Sequence, residues 1–236
     1  MQQNNQNLSG DKYDIREAEI HEQPLIVSFL NQHFFPHEPL LSMYLKSAKC
    51  SDTEMLRIKD ELQRIHEFMI AKLPCCLVAV HRDTQKIVGM CLLSIEIRKS
   101  NLNNGACDLG DSFKSRLKIL SDWFKCVLDV ADEKIDFFDK FPGIEKILKV
   151  LIVTVDRNHG KKGLATNLLK EALNFARSRG IQVVGGTFTS PYSRRAAEKV
   201  GFQTYADIDS RSFRDANGKS IYTEPHVTSI MAIQLS

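Results

Sequence analysis

The sequence predicts an α/β protein built around one central β-sheet of about seven strands. Two observations carry this prediction. Short runs rich in β-branched residues recur along the 236-residue chain, and segments with apolar residues three or four positions apart separate them. The apolar fraction of 43% is ordinary for a globular protein, so the chain can form a full core. We expect a disordered polar tail over 1–11 and one domain over 12–236.

The N-terminal part of the domain is predicted to contain one strand and two helices. Tyr13–Ala18 alternates between apolar and polar residues, which is typical of a short strand. Helical spacing of apolar residues predicts helices near Gln23–His33 and Thr53–Leu73. Pro36 and Pro39 are expected to punctuate the link between those two helices.

A β-hairpin and a helical insertion are expected next. Cys75–His81 and Ile87–Ile95 are β-rich runs joined by a polar turn, and the second run is apolar enough for a central strand. Phe113–Phe138 has apolar residues at helical spacing, which predicts a helical insertion at about 111–140. We expect this helix to pack on its own domain; a dimer seam is the less favoured alternative.

The C-terminal part is predicted to alternate between strands and helices. The expected elements are a strand at Ile147–Val155, a helix near Gly163–Arg179, a strand at Ile181–Phe188, a helix at Pro191–Val200 and a strand from Phe202–Ala206. Asn217 and Gly218 form a turn dipeptide that predicts a hairpin between Arg211–Asp215 and Thr223–Ala232. The predicted order is β-α-α-β-β-(α)-β-α-β-α-β-β.

Composition excludes several classes of function. The net charge is +3 and no block of five basic residues occurs, so a nucleic-acid partner is not expected. Because the start of the sequence is polar, we expect no signal peptide, and we expect no membrane span because no run of about 18 apolar residues occurs. Six scattered cysteines indicate a reducing, cytoplasmic setting. His33 and His37 have a helical ligand spacing, but Pro36 lies between them, so no metal is expected.

The loop after Val155 has the composition of an anion site. A strand enters it, Gly160 and Gly163 allow close approach of the backbone, and a helix begins at once. Unpaired backbone N–H groups and the helix dipole favour negative charge at such a helix start. Three bases, Arg157, Lys161 and Lys162, add positive charge. The alternative is a plain βα turn with solvated lysines.

Two blocks in this region resemble motifs of the GCN5-related N-acetyltransferase (GNAT) superfamily. Gly160–Ala165 resembles the loop pattern Arg/Gln-x-x-Gly-x-Gly/Ala, although Gly160 stands in the place of the leading Arg or Gln. Ala196–Phe202 (AAEKVGF) resembles the helix ending in Glu-Lys-Leu-Gly-Phe. The resemblance covers roughly residues 75–235 and implies a mixed sheet with helices on both faces and a fourth strand that splays from the fifth.

A closer resemblance is to insect arylalkylamine N-acetyltransferases. Phe34–Leu40 (FFPHEPL) is similar to their Phe-Phe-x-x-Glu-Pro-Leu segment, and Thr189–Arg194 (TSPYSR) is similar to their Ser-Ser-x-Tyr-Ser stretch. The helical insertion between the third and fourth strands is also typical of them.

The resemblance implies where acetyl-CoA would bind. The acyl-pantetheine arm would pair with the backbone of the splayed strand at Ile152, Val153, Thr154 and Val155. The diphosphate would lie on the loop formed by Arg157, Gly160, Lys161, Lys162, Gly163, Leu164 and Ala165. A backbone N–H group of the splayed strand would polarise the thioester carbonyl.

The resemblance also implies catalytic roles. Glu38 is the expected base, acting through ordered water. Without the resemblance, the residues alone favour the interpretation that Glu38 is a surface acid beside a proline. Ala197 occupies the position of the tyrosine that protonates the thiolate in many members, so Ser193 is the expected acid, with Thr189 a weaker choice. The expected acceptor pocket is lined by Phe34, Phe35 and Pro39.

The function implied is acetyl transfer from acetyl-CoA to a small primary amine of the arylalkylamine type, by direct attack in a ternary complex. A protein or polyamine N-acetyltransferase and a non-catalytic acyl-CoA sensor are the alternatives. We expect a monomer or a weak dimer. The sequence specifies neither the amine nor the use of acyl groups longer than acetyl.

Overall fold

The computed structural model describes residues 12–72, 75–98, 117–124, 126, 134–215 and 217–235. Seven strands form one sheet in the order β1-β2-β3-β4-β5-β7-β6, and β4–β5 is its parallel pair. Their bounds are β1 Tyr13–Glu17, β2 Cys75–His81, β3 Lys86–Ile97, β4 Lys146–Val155, β5 Val183–Phe188, β6 Gln203–Asp209 and β7 Val227–Gln234. The predicted α/β class with a mixed sheet of seven strands is confirmed.

Helices occupy both faces of the sheet. They are α1 Gln23–His33, α2 Pro39–Ala48, α3 Asp52–Lys72, α4 Lys118–Phe124, α5 Phe137–Lys140, α6 Leu164–Ser178 and α7 Pro191–Lys199. Side chains of strand β3 alternate between a core on each face of the sheet, as a pleated strand requires. Met90 and Leu92 pack with α1–α4 on one face, whereas Cys91 and Leu93 pack with α6 and α7 on the other.

The parallel pair β4–β5 separates partway along its length. Their pairing runs from Ile147 opposite Val183 to Val150 opposite Gly186, and then it stops. The register between β3 and β4 shifts at the same point, so that Leu151 forms a β-bulge while β4 continues along β3 to Val155. Bulges bend a strand and often lie beside active sites. The β5 side of β4 therefore opens into a cleft after Val150.

Helix α2 was not predicted, and it corrects the interpretation of Pro39 as punctuation between two helices. Pro39 is instead the first residue of α2. Proline is favourable at that position because its missing N–H group would have no partner there. Glu38 caps the helix by accepting from the Leu41 N–H group. An acidic residue followed by proline was thus a helix start that the sequence analysis missed.

The prediction of one continuous helix over Phe113–Phe138 is wrong at its C-terminal end. Among the described residues, helix α4 covers Lys118–Phe124, and the separate helix α5 begins at Phe137. Asp136 has an extended backbone and caps α5 through its carboxylate, so no helix continues across it. Residues 113–116 and 127–133 of the insertion, like the tail 1–11, lie outside the described part of the chain.

The predicted strand at Arg211–Asp215 is also wrong. Asp209 accepts from the N–H group of Arg211 and so begins a short 3₁₀ helix at Ser210–Ser212. The turn at Asn217 and Gly218 does occur, but it closes only a single bridge between Arg214 and Ser220. The long strands of this region are β6 and β7, and β7 begins at Val227 rather than at Thr223.

Candidate functional site

The C-terminal end of α1 lies against the opened part of β4. The Thr154 hydroxyl donates to the backbone oxygen of His33 over 3.3 Å. The His33 Nδ1 atom lies 3.8 Å from a carboxylate oxygen of Asp156, the residue that follows β4. A 3₁₀ helix at Phe35–His37 then turns the chain into α2. These contacts place the segment 34–38 beside the cleft between β4 and β5.

Glu38 is the buried polar group at the centre of this segment. Its side chain is 2% exposed. The Oε2 atom accepts from the Leu41 N–H group over 2.6 Å and from the Trp123 indole N–H group over 2.8 Å. The Oε1 atom has no hydrogen-bond partner among the described residues. One carboxylate oxygen therefore holds the side chain in place, and the other is available for a ligand.

The protonation of Glu38 reflects opposing effects. Burial raises the pKa of Glu38, because the charged form loses its hydration. Hydrogen bonds from the Leu41 N–H group and Trp123, together with the nearby Thr189 side chain, favour the charged form, and they reduce the rise without cancelling it. A carboxyl group with a raised pKa binds a proton more strongly than an exposed one, which suits a group that must take a proton from a ligand.

Aromatic rings surround this carboxyl group. Phe35 is buried and packs edge-on against Trp123, with 5.5 Å between ring centroids. Phe34 packs edge-on against Phe35 at 5.1 Å. Phe34 and Pro39 are half-buried. The structure thus brings all three residues predicted for an acceptor pocket next to Glu38. Phe35 belongs to the core, whereas Phe34 and Pro39 are partly accessible.

Trp123 and Tyr222 are site residues that the sequence analysis missed. Trp123 lies in α4, and the periodicity of the insertion marked it only as part of a helix. The Tyr222 hydroxyl is buried and has no hydrogen-bond partner among the described residues. Burial raises the pKa of Tyr222, and the nearby groups of Cys126 and Glu38 raise it further. No sequence motif pointed to either residue, since both reach the site through tertiary packing.

Thr189 and Ser193, the two predicted proton donors, differ in their relation to Glu38. Thr189 follows β5, and its side chain is close enough to Glu38 to lower that residue's pKa, although it forms no hydrogen bond to Oε1. Ser190 caps α7 by accepting from the Tyr192 N–H group. The Ser193 hydroxyl donates to the backbone oxygen of Ser190 over 2.9 Å, so its hydrogen is already engaged within α7.

The opened strand offers a backbone edge. Among the residues predicted to bind an acyl arm, Ile152 is buried, and Val153, Thr154 and Val155 are half-buried. On the β5 side their peptide groups lack the strand partner that Ile147–Val150 have. Such an edge pairs readily with an extended chain that carries amide groups.

The loop from Asp156 to Gly163, called here the anion loop, ends at the start of α6. Gly163 is the N-cap residue of α6 and has a φ of 78°, a conformation that favours glycine. Glycine at the N-cap has no side chain to cap the helix, so the N–H groups of its first turn remain open to an anion. Arg157, Lys161 and Lys162 are exposed around it. Gly160 has an ordinary φ of −64°, but a Cβ atom there would lie 3.1 Å from the Arg157 oxygen.

The described ranges contain neither a metal-binding group of side chains nor a membrane-spanning helix. There, no three His, Cys, Asp or Glu side chains are grouped so that they could hold a metal ion. None of the helices in those ranges is both long and apolar enough to cross a membrane.

Comparison with protein families and solved structures gives a consistent result. Residues 137–202, from α5 to the end of α7, match the family described as "Acetyltransferase (GNAT) family". Arylalkylamine N-acetyltransferase 2 from Aedes aegypti superimposes with a TM-score of 0.75 at 23% identity, covering 95% of this chain and 99% of that one.

Two further insect structures share the fold. Mosquito arylalkylamine N-acetyltransferase like 5b has a TM-score of 0.74 at 20% identity, covering 94% of this chain and 100% of that one. The polyamine N-acetyltransferase of Drosophila melanogaster, described as forming N-acetylagmatine, has a TM-score of 0.72 at 19% identity, with coverage of 94% and 100%.

Proposed function

We propose that this chain, which carries a GNAT acetyltransferase domain, transfers the acetyl group of acetyl-CoA to a small primary amine. The observation that carries the proposal is the position of Glu38. It is a buried carboxyl group with one unpaired oxygen, and it lies in the segment that packs against the opened end of β4. A buried acceptor beside a thioester site is what the deprotonation of an amine requires.

Acetyl-CoA fits the chemistry of the residues next to the cleft. Its diphosphate is an anion suited to the uncapped start of α6 and to the bases Arg157 and Lys161 of the anion loop. Its pantetheine arm carries amide groups that can pair with the free edge of Ile152–Val155. When bound, acetyl-CoA supplies an activated acyl group on sulfur.

The residues of this chain then have separate tasks in the transfer. An alkylammonium has a pKa of about 10, so it must lose a proton before its nitrogen can attack. Glu38 Oε1 accepts that proton, directly or through a water molecule. The amine nitrogen forms a bond to the acetyl carbon, the carbon–sulfur bond breaks, and the electron pair leaves with sulfur. A backbone N–H group at the bulge of β4 stabilises the developing oxyanion.

The attacking nitrogen still carries one surplus proton once its bond to the acetyl carbon has formed, and transfer of that proton to the departing thiolate completes the balance of the reaction. Thr189 lies beside Glu38, whereas the Ser193 hydroxyl is already donated within α7. Thr189 is therefore better placed than Ser193 to pass a proton to sulfur, which reverses the order of preference based on resemblance. Ala197, at the position of the family's tyrosine, is completely buried and has no proton to give.

The aromatic lining supports an amine with an aryl or alkyl group. Phe34, Phe35 and Trp123 present ring surface near Glu38, and such surface favours an apolar substituent on the amine. Arylalkylamine and polyamine acetyltransferases both share this fold, so a polyamine is the second candidate. A polyamine carries a second cation, which would need a second anionic group in the pocket.

The test has two stages. Acetyl-CoA at a hundred times its dissociation constant should stabilise the fold by about 2.7 kcal/mol, measured as a thermal shift. Release of free thiol is then followed with a panel of phenylethylamines, indolethylamines, polyamines and a lysine peptide. We expect turnover with the first two classes. Binding without turnover on any amine would instead favour an acyl-CoA sensor, and no thermal shift would exclude both functions.

We also propose that the protein works as a monomer or weak dimer in the cytoplasm. The described cysteines Cys50, Cys75, Cys76, Cys91 and Cys126 are free thiols, which is compatible with a reducing compartment. Sedimentation at several protein concentrations would test the oligomeric state.

A further inference from the structure

Tyr13, the first residue of β1, contacts the anion loop although the two are far apart in the sequence. Its side chain is buried, with 6% of its surface exposed. The hydroxyl lies 3.0 Å from His159 Nδ1 and 3.2 Å from Lys162 Nζ. Both partners belong to the anion loop, and each is more than 140 positions away along the chain.

The chemistry of these groups fixes the direction of the hydrogen bonds. The Lys162 ammonium can only donate, so the Tyr13 oxygen accepts from it. The hydroxyl hydrogen of Tyr13 is then donated to Nδ1 of His159, which must carry the lone pair. The result is a chain from Lys162 through Tyr13 to His159 that connects two parts of one loop to the edge strand of the sheet.

Packing of aromatic rings also holds His159 of the anion loop in place. Tyr13 lies opposite His81 in the β1–β2 register. The rings of Tyr13, His81 and His159 pack edge-on in all three pairs, with centroids 5.3 to 5.7 Å apart. Burial lowers the pKa of His159, and the charge of Lys162 lowers it further. At neutral pH His159 is therefore uncharged, as acceptance of the Tyr13 hydrogen requires.

The anion loop needs such support because its conformation is costly. Lys161 has a φ of 61° and Gly163 a φ of 78°, so two of three consecutive positions are left-handed. A non-glycine residue pays a steric penalty in that region. If the loop ordered only when phosphate arrived, that penalty and the lost chain entropy would reduce affinity.

We infer that Tyr13 is a positioning residue for the anion loop, holding His159 and Lys162 so that the loop is in its phosphate-binding conformation before the ligand arrives. The inference rests on the proposed function, in which this loop binds the diphosphate of acetyl-CoA. It predicts that Tyr13 matters for ligands with phosphate groups and not for the pantetheine arm, which would bind along β4.

The experiment compares Tyr13→Phe with the wild type, because phenylalanine keeps the ring packing and removes only the hydroxyl. The dissociation constant of CoA is measured by calorimetry, and kcat/KM is measured for acetyl-CoA and for S-acetylpantetheine, which has no phosphate. We expect the variant to bind CoA at least three- to tenfold more weakly, because both hydrogen bonds between the hydroxyl and the loop are lost. The value of kcat/KM for S-acetylpantetheine should not change.

Equal losses with both acyl donors, or no loss with either, would overturn the inference. Failure of the wild type to bind CoA would instead contradict the proposed function, so the two failures are distinguishable. Tyr205→Phe is the matched control, because Tyr205 packs with the core on the opposite face of the sheet. It should leave CoA binding unchanged.

A second variant keeps the inference testable if Tyr13→Phe does not fold. His159→Ala removes the same hydrogen bond from the loop side and should weaken CoA binding by a similar factor. Because both changes break the hydrogen bond between Tyr13 and His159, the double variant should lose less CoA affinity than the product of the two single losses. Fully multiplicative losses would show that Tyr13 and His159 act independently, contrary to the inference.

Discussion

Trp123 donates its indole N–H group to the Oε2 atom of Glu38 over 2.8 Å, although the two residues are 85 positions apart in the sequence. This bond connects helix α4 of the insertion to the N-cap of α2. Because the Leu41 N–H group donates to the same oxygen, both protein donors lie on one side of the carboxylate. The arrangement determines which oxygen remains for the substrate, and three predictions about Glu38 follow from it.

Replacement of Glu38 by glutamine should remove the base and retain the shape of the site. We expect kcat/KM for the amine to fall about 10²- to 10⁴-fold, the usual contribution of a general base. The remaining rate should increase with pH up to the pKa of the amine itself, because only the free amine can then attack. Steady-state thiol release between pH 6 and 10 measures this.

Glu145→Gln is the matched control for that substitution, because Glu145 is exposed beside the start of β4. It should leave both the rate and the pH profile unchanged. A Glu38→Gln enzyme with the wild-type pH profile would show that Glu38 is only the cap of α2.

Replacement of Trp123 by phenylalanine should shift the pH dependence of the enzyme. The indole donor favours the charged form of Glu38 and lowers its pKa, so its loss must raise that pKa further. The lost hydrogen bond is made to the carboxylate, so its removal disfavours deprotonation of Glu38. The acidic limb of the kcat/KM profile should therefore move to higher pH.

Substitution of 3-benzothienylalanine at position 123 separates this effect from packing. That side chain has the shape of tryptophan with sulfur in place of the N–H group, so it removes the donor without leaving a cavity. It should produce the same shift of the acidic limb. A limb that moves in the phenylalanine variant but not in this one would assign the effect to packing, contrary to the prediction.

Local patterns in the sequence were sufficient for most of the sheet and for the anion loop. The runs that became β2, β4 and β5 are continuous and apolar, and Gly163 followed at once by an amphipathic helix identifies α6. These features depend on residues close together in the chain, which is why periodicity and glycine placement predict them.

The arrangement around Glu38 was beyond such patterns. The resemblance selected the residue, but nothing local indicates that its carboxylate is buried or that Trp123 and Leu41 share one of its oxygens. Helix α2 was missed because a proline that starts a helix resembles one that interrupts it. The Tyr13–His159 contact was missed for the same reason as Trp123, since it forms only when the sheet brings distant segments together.

The burial of Glu38 should also reduce the stability of the fold at neutral pH. Its pKa is raised above the unfolded value of 4.5, so the folded state binds more protons than the unfolded state at pH values between 4.5 and that raised pKa. Stability therefore decreases as pH rises through that window and is unaffected by this group at pH values well below 4.5. Glutamine at position 38 is always neutral, so the stability of Glu38→Gln should not show this decrease with pH.

Thermal unfolding of the wild type and Glu38→Gln at pH 4 and pH 8 tests this sign. We expect the variant to gain melting temperature relative to the wild type on going from pH 4 to pH 8. A residue that reduces stability while serving catalysis is a common compromise in active sites. An equal difference at both pH values would mean that folding does not raise the pKa of Glu38, contrary to the prediction.

Gly163 and Gly143 allow the conformation of the anion loop to be tested against an equivalent strain elsewhere. Both glycines have left-handed backbones, with φ of 78° and 87°, and a Cβ atom on either would meet nothing within 4 Å. Alanine at either position should therefore cost about 1–2 kcal/mol of stability through backbone strain alone. Only Gly163→Ala distorts the start of α6, so it alone should raise the KM for acetyl-CoA. The increase should be about tenfold if a movement of the loop relieves the whole strain. Gly143→Ala should lose the same stability with an unchanged KM, and a KM increase in both variants would show that general destabilisation is responsible.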